Sequence, residues 1–162
     1  MSGLEDKLAR MGCTLPAPFQ FPNPNRTGCV VVGNIVFVSG HGRDLPSLPN
    51  VRHTGKVGSD LSVEQGYATA RAVALSMLAS LKQQLGDLDR IKRIVRLFGM
   101  VNVAPGFDRM PEVIDGASDL FFELLGAQNG QHARSAVGMA ELPHGIPVEI
   151  NGEFELKPGG TA

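Results

Sequence analysis

Leu4, Leu8 and Met11 recur at helical spacing behind Ser2 and Glu5, which stand three residues apart as a capping box. The spacing predicts a short amphipathic helix stopped by Gly12. Pro16, Pro18, Pro22 and Pro24 then make residues 15–25 an extended arm. Val30–Val32 and Ile35–Val38 are β-prone runs around Gly33-Asn34, a hairpin signal, and the second run ends at Ser39-Gly40-His41-Gly42. Residues 43–59, with Pro46, Pro49, Gly55 and Gly58, read as loop. A second capping box, Ser62 with Gln65, opens the longest helix, whose stripe is Tyr67, Ala70, Ala74, Met77, Leu78, Leu81 and Leu85. Gly86 ends it. Ile91 to Val103 reads as a strand with Lys92 and Arg96 on one face. A further helix over 109–125 buries Val113, Ala117, Phe121 and Leu124, closed by Gly126. Two strands, 134–142 and 147–156, flank Pro143-His144-Gly145-Ile146, and 157–162 is a tail.

The predicted order is hairpin, helix, strand, helix, hairpin, an α+β arrangement in which two helices cover one sheet face. The other face then needs a second copy of the chain, so an oligomer is expected. Strand 147–156 alternates cleanly: Val148, Ile150, Phe154 and Leu156 on one side, Glu149, Asn151, Glu153 and Glu155 on the other. Closing 143–146 as a hairpin turn sets Ala140 opposite Glu149 and Arg134 opposite Glu155. Arg134, the small row Ala136, Gly138 and Ala140, and Glu149 would then line one trough. A guanidinium holds a carboxylate by two parallel hydrogen bonds, and a nearby Glu orients water or moves a proton. A solvated face with an Arg134–Glu155 cross-strand pair explains the same pattern.

The 162 residues, 43% hydrophobic and 19% charged, suit one globular domain over 1–162, with residues 1–28 as helix and arm. A net charge of −1 argues against general nucleic-acid binding. No apolar run approaches the roughly 18 residues of a membrane span. The acidic start lacks an export signal, so a cytoplasmic protein without membrane contact is expected. Cys13 and Cys29 are too few for a disulfide framework, lack metal-ligand spacing and read as inert. His53, His132 and His144 read as surface residues, and His41 reads equally as a ligand contact or the start of a loop. Gly138 marks either a close backbone approach or a ligand contact. Tyr67 reads as packing, and Asp108 and Asp119 as helix-end and solvent-face residues. The basic cluster Arg90, Lys92, Arg93 and Arg96, with Asp87 and Asp89 beside it, reads as a solvated face.

His132-Ala133-Arg134-Ser135-Ala136-Val137-Gly138-Met139-Ala140-Glu141-Leu142-Pro143 with Pro147-Val148-Glu149-Ile150 resembles the C-terminal signature of the YjgF/RidA family, also labelled endoribonuclease L-PSP. Val36-Phe37-Val38-Ser39-Gly40 resembles its N-terminal strand motif. The resemblance spans about 15–156; Gly55-Lys56-Val57-Gly58 and Val103-Ala104-Pro105-Gly106-Phe107 are similar to a divergent branch without an assigned reaction. It implies a chorismate-mutase-like mixed sheet, a homotrimer with clefts between subunits, and hydrolysis of 2-aminoacrylate-like imines or enamines to 2-keto acids and ammonia. Arg134 would hold the substrate carboxylate, Glu149 would orient water or protonate the enamine, and Ser39, Gly40 and Asp115 would line the site. No metal or organic cofactor is implied, and the partners are a small carboxylate substrate and the chain itself. The sequence departs from the best-studied branch at Ala136, Arg26 and Asp115, where that branch has cysteine, tyrosine and asparagine. A non-catalytic metabolite-binding or holdase-like trimer is the alternative reading, and an endoribonuclease or translation inhibitor the third.

Overall fold

The computed structural model describes residues 3–159. Helix α1 spans Leu4–Arg10 and is capped at Gly3, with Leu4 N–H donating to Asp89 Oδ1 at 2.6 Å. A distant carboxylate thus serves this helix end; Ser2 of the expected capping box lies outside the described residues. The proline arm follows without regular structure. Strands β1 (Cys29–Val32) and β2 (Ile35–His41) form the expected hairpin, Val32 opposite Ile35, with Gly33 at φ 61° in the turn. Helix α2 spans Val63–Leu85 between its Ser62–Gln65 capping box and Gly86. Strand β3 covers Ile91–Asn102. Helix α3 runs Met110–Gly130 but breaks at Gly126, so the expected stop is real and a last helical turn restarts beyond it. Strands β4 (Ala133–Met139) and β5 (Val148–Leu156) complete the chain.

The mixed five-stranded sheet has the order β1-β2-β5-β3-β4. The expected pairing of the last two strands is therefore not formed. β4 runs parallel to β3, Leu97 opposite Arg134, while β5 lies antiparallel between β2 and β3, Met100 opposite Glu149. The connection fails to close as a hairpin because it is carried over the end of β3. Asn102 donates from its backbone to the Pro147 carbonyl at 2.8 Å and from its side chain to the Ile146 carbonyl at 3.3 Å. Lys56 holds the Ala140 carbonyl, and Gly55 N–H donates to Gly145. Pro143 and Pro147 also lack the N–H that a tight ladder would use.

α2 and α3 cover one face. Phe121 of α3 meets Phe154 of β5 edge-on at 5.3 Å between centroids, and Ile94, Leu97, Val101 and Ile150 are fully buried beneath the helices. The small residues admit this layer. A Cβ on Gly99 would stand 2.6 Å from Ile114, and one on Gly116 would stand 2.0 Å from the Tyr67 carbonyl oxygen, so α3 sits close to both sheet and α2. On the opposite face Val30, Val32 and Phe37 are exposed, beside a polar row paired across strands, Lys92 with Glu155 and Arg96 with Glu153. Glu155 thus takes Lys92, not Arg134, and two members of the basic cluster expected to form a solvated face, Lys92 and Arg96, are paired with glutamates. Among the described residues no helix is long and apolar enough to cross a membrane.

Candidate functional site

Val38 pairs with Gly152 but His41 pairs with Ile150, so β2 carries one extra residue at Ser39-Gly40. That bulge decides the local chemistry. It returns His41 to the helix side, where the ring is 2% exposed. Nδ1–H of His41 donates to the Ser39 carbonyl at 2.6 Å and Nε2 accepts from the Ser80 hydroxyl at 2.8 Å. Burial lowers its pKa below the ordinary histidine value. His41 is therefore a neutral, satisfied wall residue, neither a loop start nor a free ligand contact. Ser39 spends its hydroxyl on the Thr27 carbonyl at 2.5 Å, fastening the arm to the bulge.

On the other side of the bulge, Gly40 lies against Glu149: a Cβ there would be 2.5 Å from the carboxylate. The glycine keeps the Glu149 carboxyl facing a cavity of about 180 Å³ lined by Phe19, Phe21, Arg26, Arg43, His144 and Ile146. Glu149 is half-buried, and burial raises its pKa above the ordinary carboxylate range. A carboxyl with a raised pKa beside a cavity holds its proton more readily than an exposed one and is suited to proton transfer.

Arg134 lies elsewhere. Leu97, its β3 partner, is fully buried under α3, so Arg134 points to the helix side, whereas Glu149 points to the open side. The two do not share a surface within one chain. Arg134 Nη1 donates to Asp115 Oδ1 at 2.6 Å and to Ser118 Oγ at 3.1 Å, both on the first half of α3. Ser118 donates in turn to His132 Nε2 at 2.9 Å, and His132 Nδ1–H donates to the Gly130 carbonyl at 2.8 Å. Burial first, then the Arg134 charge, hold the His132 pKa below the usual value against the bond to Gly130. Asp115, Ser118, Asp119, Phe122 and His132 surround Arg134 in a shallow hollow at the β4 edge. His132 is thus part of a hydrogen-bonded relay rather than a surface residue, and Ser118 was missed altogether. A serine three residues after Asp115 on a helix is the signal that points to it.

The expected trough of small residues does not form, because β4 and β5 are not neighbours and Gly138 and Ala140 are exposed at the sheet edge. Ala136 packs against the core, and a Cβ on Gly138 would meet Val103 at 3.0 Å and then Met110. Of the remaining candidates, His53, His144, Asp108 and Asp119 are exposed as expected, and Asp119 also accepts the Tyr67 hydroxyl at 2.7 Å, tying α3 to α2. Burial pushes the Cys29 thiol up to about 12, which makes it inert. No group of three or more His, Cys, Asp or Glu among the described residues stands where it could hold a metal.

The family model described as "YjgF/chorismate_mutase-like, putative endoribonuclease" matches residues 6–145. The chain belongs to the YjgF/chorismate-mutase-like family. Protein TCP17 of Trypanosoma cruzi is 42% identical over 150 residues, covering 92% of this chain and 91% of that protein. Protein Atu1372 of Agrobacterium tumefaciens, described as of unknown function, is 38% identical with a TM-score of 0.83, over 95% of this chain and 92% of its own. A structure from Shewanella oneidensis described as a putative endoribonuclease is 33% identical with a TM-score of 0.85, over 96% of this chain and 100% of its own.

Two of the three departures of this YjgF-like chain lie on the surfaces just described. Arg26 lines the Glu149 cavity, and Asp115 holds Arg134. Ala136 sits on the helix side of β4 instead. The YjgF-like sheet therefore presents two separate concavities on one chain, an acid-lined hollow with Arg134 and an arginine-rimmed cavity with Glu149.

Proposed function

We propose that the protein hydrolyses small imines and enamines bearing a carboxylate, in clefts where the Arg134 half-site of one copy faces the Glu149 cavity of the next. The carrying observation is Glu149: a half-buried carboxyl with a raised pKa, kept facing a cavity by a glycine. The exposed Val30, Val32 and Phe37 and the unpaired outer edge of β4 support association with further copies, and the family supports a homotrimer. Nη1 of Arg134 is taken by Asp115 and Ser118 and one Nη2–H by the Pro111 carbonyl at 3.4 Å, so Arg134 binds the substrate carboxylate through Nε–H and the remaining Nη2–H. Protonated Glu149 delivers a proton to the enamine carbon, giving the iminium ion (the protonated imine). As carboxylate it then takes a proton from water as oxygen bonds to the imine carbon. That proton passes to nitrogen, the carbon–nitrogen bond breaks to release ammonia, and Glu149 takes the hydroxyl proton as the C=O forms, leaving a 2-keto acid and the protonated carboxyl with which the cycle began. The imine carbon is already electrophilic and the step balances with water alone.

The test is the rate of 2-keto acid formation from enzymatically generated 2-aminoacrylate and related imino acids, with Glu149→Gln as comparison. Acceleration by the wild type and loss of about a hundredfold or more in the variant is expected for a proton-transfer residue. Absence of acceleration with every imino acid refutes the reading. Saturable binding of the keto acid without turnover would assign the cleft to a metabolite sensor. RNA cleavage that survives high salt and is lost in Arg134→Ala would restore the ribonuclease reading, against which stand the −1 net charge and the pairing of Lys92 and Arg96 with glutamates.

A further inference from the structure

Arg71, Arg96, Arg109 and Arg134 each hold a carboxylate of their own chain. Arg26 and Arg43, which both line the Glu149 cavity, hold none among the described residues. Arg26 donates only to the neutral Asn25 side chain, at 3.1 Å. Arg43 lies 5.9 Å over the Phe19 ring and donates to His144 Nε2 at 3.0 Å. Because a guanidinium is always charged and only donates, His144 must accept through a neutral ring with its proton on Nδ1. His41, the other ring in the wall, is also neutral and fully engaged. Glu149 is then the cavity's one acidic group, set against two guanidinium groups. Its wall is otherwise apolar, Phe19, Phe21, Pro22 and Ile146, which strengthens any charge interaction made there.

We infer that Arg26 and Arg43 receive a second anionic group, so that the substrate is a dicarboxylic imino acid of four or five carbons. This rests on the imino-acid reading of the cleft, in which Arg134 of the facing copy takes the carboxylate beside the reacting carbon. The distal carboxylate supplies the counter-charge the cavity lacks. The cavity of about 180 Å³ is slightly larger than one of about 150 Å³ that holds benzene, and a short-chain dicarboxylate has about that bulk. A planar guanidinium engages a carboxylate through two parallel bonds, and two of them around one anion give selectivity that a lone exposed arginine does not. Phe19 under Arg43 fixes the orientation of one of the two before the ligand arrives.

The test compares calorimetric binding of 2-oxoglutarate and 2-oxopentanoate, which share a chain length and differ in the distal carboxylate. Wild type, Arg26→Gln and Arg43→Gln are each titrated at two salt concentrations. The expected result is at least tenfold tighter binding of the dicarboxylate by wild type. Each variant should lose about tenfold for 2-oxoglutarate and leave 2-oxopentanoate unchanged, with the preference shrinking at high salt. Equal binding of the two acids by wild type overturns the inference, as does equal weakening of both in the variants. Binding is read without turnover, so the two readings separate. A dicarboxylate preference without imine hydrolysis keeps this site and rejects the deaminase, whereas hydrolysis of monocarboxylic imino acids without the preference does the reverse.

Discussion

Gly116 sits where α3 crosses α2, and replacing it with alanine tests how tightly the two helices are set. The new Cβ would lie 2.0 Å from the Tyr67 carbonyl oxygen, 2.9 Å from the carbonyl carbon and 3.1 Å from Arg71 N. Carbon–oxygen contacts settle near roughly 3.3 Å, so the helices must part by more than an ångström, and all three neighbouring atoms are backbone that cannot swing aside. Overpacking of this kind costs up to about 3 kcal/mol, against a helix-propensity gain of about 1 kcal/mol for Gly→Ala. The net loss is then about 2 kcal/mol, or about 4–8 °C in melting temperature for a domain of this size. Thermal and urea unfolding of Gly116→Ala beside Gln83→Ala, an exposed α2 position, is the assay. Because Asp115 and Ser118 flank Gly116 and hold Arg134, the variant should also weaken carboxylate binding without touching the hollow. A Gly116→Ala protein as stable as wild type would refute the close-approach reading of this crossing.

Asp115→Asn removes the charge opposing a ligand carboxylate at Arg134. KM for an imino acid should fall severalfold, while the lost partly exposed ion pair costs no more than about 1 kcal/mol in denaturant unfolding. Glu149 has a raised folded-state pKa, so its burial cost is absent at low pH, where the carboxyl is protonated in both states, and appears as pH rises through the raised value. Glu149→Gln should consequently equal or exceed wild-type stability at pH 8 while losing turnover; a large loss of melting temperature there would count against the burial. His41 has the opposite sign: its lowered pKa means stability held above the ordinary value of 6.5 is lost as pH falls toward the folded one. Melting temperature should drop between pH 7 and 5 more steeply in wild type than in His41→Gln. Alkylation of the native protein followed by mass spectrometry should label Cys13, which is half-buried, before Cys29, which is buried and held near 12; early labelling of Cys29 would contradict this.

Elements set by local chemistry were legible in the chain. Ser62 with Gln65, Gly86, the Gly33-Asn34 turn and Gly126 act over three or four residues, and each stands where the pattern put it. Strand pairing was not, because the four residues 143–146 are as short as a hairpin loop, and nothing near them in sequence reports that Asn102 and Lys56 pull them across β3. The same distance explains the site. The alternation of β5 placed Glu149 on the polar side correctly, but the face shared by Arg134 depended on a partner strand that sequence proximity misassigned. The burial of the His41 ring was not legible because the one extra residue at Ser39-Gly40 inverts the alternation and has no compositional mark beyond the glycine.

The middle position of β3 has a consequence for how the chain acquires its shape. Its neighbours on both edges, β4 and β5, are made after it and after the other two of the five strands, so β3 waits with its edges bare while α3 is still being made. The β1–β2 hairpin is likewise stranded until β5 arrives to bridge it to the rest. Assembly must thus be late and all at once, its barrier dominated by long-range closure. Nascent chains ending before about residue 150 should be the forms that chaperones retain and proteases clear.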